Sequence, residues 1–204
     1  MLLIAGGCRE FVPLDDRIGV NASRVRAEAE QEPRLVERKQ FDPEGRLLRS
    51  WSEWVIPGEP RRKHGVERHW SSGGQLTVER GWEDGQPRGW WRSWYVDGTL
   101  RSEFECAGPG EEREMSFYRE DGSLSARGPG EDGLRGGVWT FFDEGGRRSK
   151  EGRYRRGVED GEWTFWNEDG SLQARGTYIN GIRVGEWERP GRRVKEPGSP
   201  AGGV

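Results

Sequence analysis

The residues whose types could do chemistry are few, and their spacing argues against it. His64 and His69 are the only histidines, five positions apart, and a strand would put them on opposite faces. With no cysteine or third histidine beside them, they fall short of the ligand number a zinc site needs. Cys8 and Cys106, the two cysteines, are far apart in sequence and supply neither a disulfide framework nor a metal site by themselves. Carboxylates abound, but Asp121, Asp132, Glu168 and Asp169 stand at turn positions, where Asp has a backbone reason to be. Asn167-Glu168-Asp169-Gly170 begins like a calcium loop and lacks the later bidentate Glu. Gly133-Leu134-Arg135-Gly136-Gly137 is glycine-rich but is followed by no Lys-Ser/Thr. No catalytic carboxylate pair can be singled out, so a hydrolase is remote. The expectation is a non-enzymatic protein with no catalytic residue, no metal and no cofactor.

One cluster could bind. Trp90-Trp91-Arg92-Ser93-Trp94-Tyr95 interleaves aromatics with arginine, a pattern that can stack bases or sugars. Yet 33 Lys+Arg against 36 Asp+Glu give a net charge of −3, which offers no electrostatic steering toward nucleic acid, and no nucleic-acid partner is expected. The composition is unusual in another way: only 31% of the 204 residues are apolar, while 11 are Trp and 33 are Gly. An ordinary domain has roughly 45–50% apolar residues, so a thick aliphatic core is ruled out. No run of about 18 apolar residues occurs, hence no transmembrane helix.

What must position these aromatics is a repeat. Aligning Gly and Trp gives a fixed period of 24 residues, with copies starting at Gly65, Gly89, Arg113, Gly137, Gly161 and Gly185. The third column holds Trp91, Met115, Trp139, Trp163 and Trp187; the sixth holds Trp70, Trp94, Tyr118, Phe142 and Trp166; the twelfth holds Leu76, Leu100, Leu124 and Leu172. Each period carries two turn signals, such as Asp169-Gly170 and Asn180-Gly181, which supply the positive φ of hairpin turns. A turn every 11 to 13 residues means a β-meander, here 10 to 13 short antiparallel strands. Side-chain alternation then puts Trp163, Phe165, Leu172, Ala174, Gly176 and Tyr178 on one face, with Gly161 and Gly176 beside Trp163 leaving room for a ring over bare backbone. The other face is polar apart from Trp166. Trp70, Trp94 and Trp166 in this off-face column, with Trp90, Tyr95, Trp51 and Trp54 outside the structural columns, are the candidates for contact with a partner.

The columns G-x-W-x-x-(W/F/Y)-x-x-x-G-x-L-x-x-x-G-x-Y-x-x-G resemble the variant MORN (membrane occupation and recognition nexus) repeat of bacteria, over about residues 65 to 189. The copy at Arg113 departs with Arg for Gly and Met115 for Trp, and the copy at Gly89 has Cys106 where others have Trp82, Tyr154 or Tyr178. The resemblance implies an elongated hairpin-repeat sheet and a role in binding or scaffolding; bacterial members include antitoxin-like proteins. It implies no catalytic residue.

The ends complete the expected organisation. Leu3-Ile4-Ala5-Gly6-Gly7-Cys8 resembles a bacterial lipobox, which makes Cys8 a lipidation candidate and a membrane attachment through its acyl chain an expectation. Residues 21 to 32 read as a short helix or linker closed by Pro33, and the Pro/Gly-rich tail as disordered. The fold class is thus all-β, an elongated single-layer antiparallel β-meander of about five to six hairpin repeats. Residues 1–35 form the lipobox-like segment and linker, 36–189 the repeat domain, and 190–204 the tail. The first functional reading is a protein-binding or scaffolding module, an envelope lipoprotein. The alternatives are a cytoplasmic antitoxin or immunity-like inhibitor, and a glycan or cell-wall binder; envelope and cytoplasm both stand as locations.

Overall fold

A computed structural model of the protein describes residues 32–108, 111, 113–131 and 133–195, the last four of these by backbone alone. The chain is all β, an open antiparallel meander of hairpins, with no helix among the described residues. Contacts divide it into two compact units. The N-terminal unit takes in the described residues up to Thr99, with Glu105–Gly108. It contains β1 (Arg34–Phe41), β2 (Leu47–Val55), β3 (Arg62–Lys63), β4 (Gly65–Trp70), β5 (Leu76–Glu83) and β6 (Gln86–Trp94). They lie in the order β1-β2-β4-β5-β6, with β3 paired to β2. The C-terminal unit takes the Leu100–Phe104 part of β7 (Leu100–Cys106), which pairs with β8 (Arg113–Tyr118), and β9 (Leu124–Glu131), β11 (Gly137–Phe142), β12 (Arg148–Arg155), β13 (Val158–Trp166), β14 (Leu172–Ile179), β15 (Ile182–Arg189) and β16 (Arg192–Lys195) follow in turn, with β10 (Leu134–Arg135) paired to β9.

The sixteen strands among the described residues exceed the 10 to 13 expected. The irregular first copy contributes a full pair, β1 with β2, and two turn flanks pair as two-residue pieces. The pairing of β16 with β15 also carries ordered backbone into the segment expected to be a disordered tail. Cys8, the lipobox-like segment and the helix expected over 21–32 lie outside the described residues, Glu32 excepted.

Among the described residues, both kinds of turn signal do what their residues suggest. Between β13 and β14 the Asn167 N–H donates to the Ser171 carbonyl at 2.9 Å, and Gly170, at φ +80°, donates to the Asn167 carbonyl at 2.9 Å. Asp169 Oδ1 accepts from the Ser171 N–H at 2.9 Å, and Asp121 does the same for Ser123 at 2.8 Å, so these carboxylates are spent on turn geometry. The second turn has two successive residues of positive φ, as in Asn180 (+49°) and Gly181 (+78°), which is type I′. Its glycine also ties the hairpins together. Gly157 N–H donates to Arg135 O at 2.7 Å and Gly181 N–H to Glu159 O at 2.8 Å, so each turn is bonded to the hairpin before it.

In the C-terminal unit one face carries the core: Met115, Ala126, Trp139, Tyr154, Trp163, Ala174 and Trp187, with Phe104, Phe117, Phe141, Phe165 and Tyr178 packed against them. Trp139, Trp163 and Trp187 are only 0–1% exposed. Each indole lies flat over the glycine of the strand before it. A Cβ on Gly128 would stand 2.6 Å from the Trp139 ring, one on Gly152 2.1 Å from Trp163, and one on Gly176 2.3 Å from Trp187. The room over Gly176 read from the sequence is there, and the structure shows which ring fills it. Gly176 is the cross-strand partner of Trp163, but the ring over it is Trp187; the ring of Trp163 leans back onto Gly152. Gly161 has a different job, sitting at φ +118° near the register shift between Gly152 and Tyr154.

Hydrogen bonds hold two of the indoles there and ring contacts hold all three; Trp187 Nε1 is buried without a hydrogen-bond partner among the described residues. Trp139 Nε1–H donates to Pro129 O at 2.7 Å and Trp163 Nε1–H to Arg153 O at 3.2 Å, ten residues back in both copies. Tyr154 meets Trp163 edge-on at 5.2 Å, and Tyr178 meets Trp187 edge-on at 5.4 Å. The two irregular copies are compensated. Where Phe104 replaces the column's glycine, its cross-strand neighbour is Met115 instead of Trp. The flexible thioether of Met115 takes the space over Gly130, where a Cβ would lie 2.1 Å from its sulfur.

Candidate interaction surface

The sequence candidates fall on three different kinds of ground. Trp90 is exposed, 45%, with the Arg92 guanidinium 4.6 Å from its ring. Trp70, Trp94, Trp166, Tyr95, Trp51 and Trp54 are only half-buried. Trp166 lies under Arg148 at 5.2 Å, Trp51 under Arg49 at 4.6 Å, and Trp54 faces the His64 ring at 5.6 Å. The structure therefore does not gather them into one site. Trp90 and Trp94 share strand β6, while Trp51 and Trp54 are on β2, and Trp166 is in the other unit.

A row of exposed aliphatics was missed. Leu134, Val158 and Ile182 occupy one column, the residue after the second turn's glycine (Gly133, Gly157, Gly181) in three successive copies, and are 45%, 42% and 61% exposed, whereas Gln86 holds that place after the Asp84-Gly85 turn. They recur every second strand, about 10 Å apart by sheet geometry. Ile179, also exposed, pairs with Ile182 across the turn. Each side chain abuts the next turn: a Cβ at Gly157 would be 3.6 Å from Leu134 Cδ2, and one at Gly181 3.4 Å from Val158 Cγ1. The signal for this row was in the sequence, as an apolar residue in the same column of three successive copies.

On the aromatic face the next column alternates in charge: Arg135, Glu159, Arg183. Arg135 lies over Trp139 at 4.5 Å and over Phe117, Phe141 and Tyr154 at 5.3 to 5.5 Å; Arg183 lies over Trp187 at 4.4 Å. Lys150 Nζ stands 4.4 Å from the Phe141 ring centre. Burial pulls the Lys150 pKa down, and burial pushes that of Tyr154 up.

The N-terminal unit breaks the tryptophan column. Glu67 stands there, 1% exposed, taking hydrogen bonds from Arg49 Nε at 2.6 Å, Lys63 Nζ at 2.8 Å and His69 Nε2 at 2.8 Å. Burial alone would raise its pKa; the bonds from His69 and Lys63 and the charges of Lys63 and Arg49 hold it far below the usual carboxylate range. The second histidine, His64, is 3.4 Å from Asp84, so the two histidines serve separate partners. No group of three or more potential metal ligands occurs among the described residues.

No curated protein matches the sequence. Among solved structures, the chain is similar to TarM, with a TM-score of 0.34, 13% identity, and coverage of 48% of this chain and 19% of that one. A mutant of S. aureus TarM in complex with fondaparinux, alpha-GlcNAc-glycerol and UDP gives the same TM-score, 0.34, at 12% identity, with coverage of 47% of this chain and 19% of that one. A Bacteroides fragilis protein of unknown function gives a TM-score of 0.19 at 11% identity, covering 81% of this chain and 94% of that one. The chain thus spans about a fifth of the length of TarM. A family model described as MORN repeat variant matches residues 159–180, which run from the β13 side of one type I′ turn through β14 to the next turn. The chain carries a MORN repeat variant at residues 159–180.

Proposed function

We propose that the protein is a non-enzymatic module that binds another protein along the Leu134, Val158, Ile182 row, and that an acylated Cys8 tethers it to a bacterial envelope. One observation carries the binding reading. The aromatic face covers its own tryptophans with neighbouring rings and arginines, whereas the row repeats exposed apolar side chains at the sheet's own pitch. Scattered exposed aliphatics are ordinary on any surface; the same column exposed in three successive copies makes a ridge, which is the form in which repeat proteins present a binding surface. The tether rests on Ala5-Gly6-Gly7-Cys8 alone.

The test is a triple variant, Leu134→Ser, Val158→Ser, Ile182→Ser, compared with wild type in quantitative affinity purification from the native cell, membrane fraction kept apart. The variant should melt like wild type and lose a specific co-purifying protein. Identical partner profiles for the two would refute the assignment of the surface.

A further inference from the structure

We infer that Lys150 and Arg135, on the aromatic face of the C-terminal unit, form a receptor site for a carboxylate side chain in an acidic segment of a partner protein; the inference rests on the protein-binding reading and goes beyond the aliphatic row to a second point of contact. The repeat supplies its own control. In the column of Lys150 the other copies carry Val78, Ser102, Ala126 and Ala174, and both alanines are buried in the core or at its margin. Folding of this face thus asks for a small residue. Lys150 instead places an ammonium 4.4 Å from the Phe141 ring centre and 5.8 Å from that of Trp163.

Arg135 brings a second cation to the same ring, its guanidinium carbon 5.3 Å from the Phe141 centre. Among the described residues neither makes an ion pair with a carboxylate. Arg135 Nη1 donates to the Tyr154 hydroxyl at 3.4 Å, and that hydroxyl donates to Glu159 Oε1 at 3.3 Å. Among the described residues, these two half-buried cations stand with one carboxylate, Glu159, which leaves one positive charge over. That surplus matches a singly charged carboxylate better than a doubly charged phosphate. A guanidinium and an ammonium are donors suited to its two oxygens, and the ring floor of Phe141 and Trp163 suits the methylenes that carry it. Holding like charges together in a half-buried place costs stability, and such costs are typical of binding sites.

The experiment uses the full chain and a fluorescein-labelled hexaglutamate peptide in fluorescence anisotropy, with inorganic phosphate as competitor and thermal melts of every variant. Wild type should bind the peptide. Lys150→Ala should weaken binding about tenfold to a hundredfold, the effect of deleting one partner of a partly buried charge pair, while melting at or above the wild-type temperature because alanine is what sister copies hold there. Lys150→Arg should retain binding. Val158→Ser should also retain it, so failure of the aliphatic row and failure of this site are told apart. The inference is overturned if wild type does not bind hexaglutamate, if Lys150→Ala binds equally well or melts well below wild type, or if phosphate binds more tightly than the peptide.

Discussion

Gly152→Ala puts the packing scheme at risk with the smallest possible change. The added Cβ would lie 2.1 to 2.4 Å from three atoms of the Trp163 ring, where carbon contacts normally begin at about 3.5 Å, so ring or strand must yield by more than about 1 Å. The ring has nowhere to go. It is held by the Arg153 carbonyl at 3.2 Å, by Tyr154 at 5.2 Å and Tyr178 at 5.8 Å, and by Phe165 stacked at 6.0 Å. Overpacking costs about 1–3 kcal/mol, and straining the indole hydrogen bond adds about 1 kcal/mol. The lower chain entropy of alanine returns about 0.5–1 kcal/mol, leaving a net loss of about 1–3.5 kcal/mol. Urea melts measure it. Gly136→Ala is the control, since a Cβ there meets nothing within 4 Å, and it should change stability by less than about 0.5 kcal/mol. Adding Trp163→Met, as in the Phe104 and Met115 copy, should make the double loss smaller than the sum by about 1 kcal/mol or more. Equal melts for Gly152→Ala and Gly136→Ala would refute the reasoning.

Three further outcomes are expected. Trp163→Ala should cost about 3–5 kcal/mol in urea melts, as a fully buried ring, and Trp166→Ala, half-buried under Arg148, distinctly less; equal losses would mean that the two faces are assigned wrongly. Glu67 has a folded pKa held below its unfolded value, so its stabilisation is present above about pH 4.3 and drains away as pH falls toward the folded value. Acid titration of stability should therefore be flatter in Glu67→Gln, which should also lose about 2–3 kcal/mol near pH 7, a value reduced from that of a fully buried pair because its cationic partners are about a third exposed. Palmitate labelling of the product expressed from its native upstream sequence should mark the wild type and not Cys8→Ser; an unlabelled wild type would remove the tether from the account.

Much of the fold was legible because it is written locally. Asp-Gly and Asn-Gly pairs at a fixed period specify hairpins, and strict alternation specifies a face, so the meander and the buried column of Trp139, Trp163 and Trp187 followed from spacing. The partner of each ring did not. Alternation tells which face a side chain takes and not which way it leans, and the lean of Trp163 toward Gly152 over Gly176 is set by the ring contacts of Tyr154 and the Arg153 carbonyl. Glu67 was hidden for a similar reason: a carboxylate in a tryptophan column looks like a lapse of the repeat until Arg49, Lys63 and His69, two of them outside that strand, close around it. For the surface, attention to aromatics overlooked the aliphatic row. Trp90 is exposed as expected, but Trp70, Trp94 and Trp166 are half-buried, whereas Leu134, Val158 and Ile182 stand out into solvent.

The claim that the row after the type I′ turns receives a partner is tested most directly by site-specific photocrosslinking in the native cell. A photoreactive residue at Val158 should give one discrete adduct whose second component is a single identified protein, and the same residue at Glu168, on an exposed turn at the other end of the hairpin, should give none. No adduct from Val158, or the same adducts from both positions, would contradict the account.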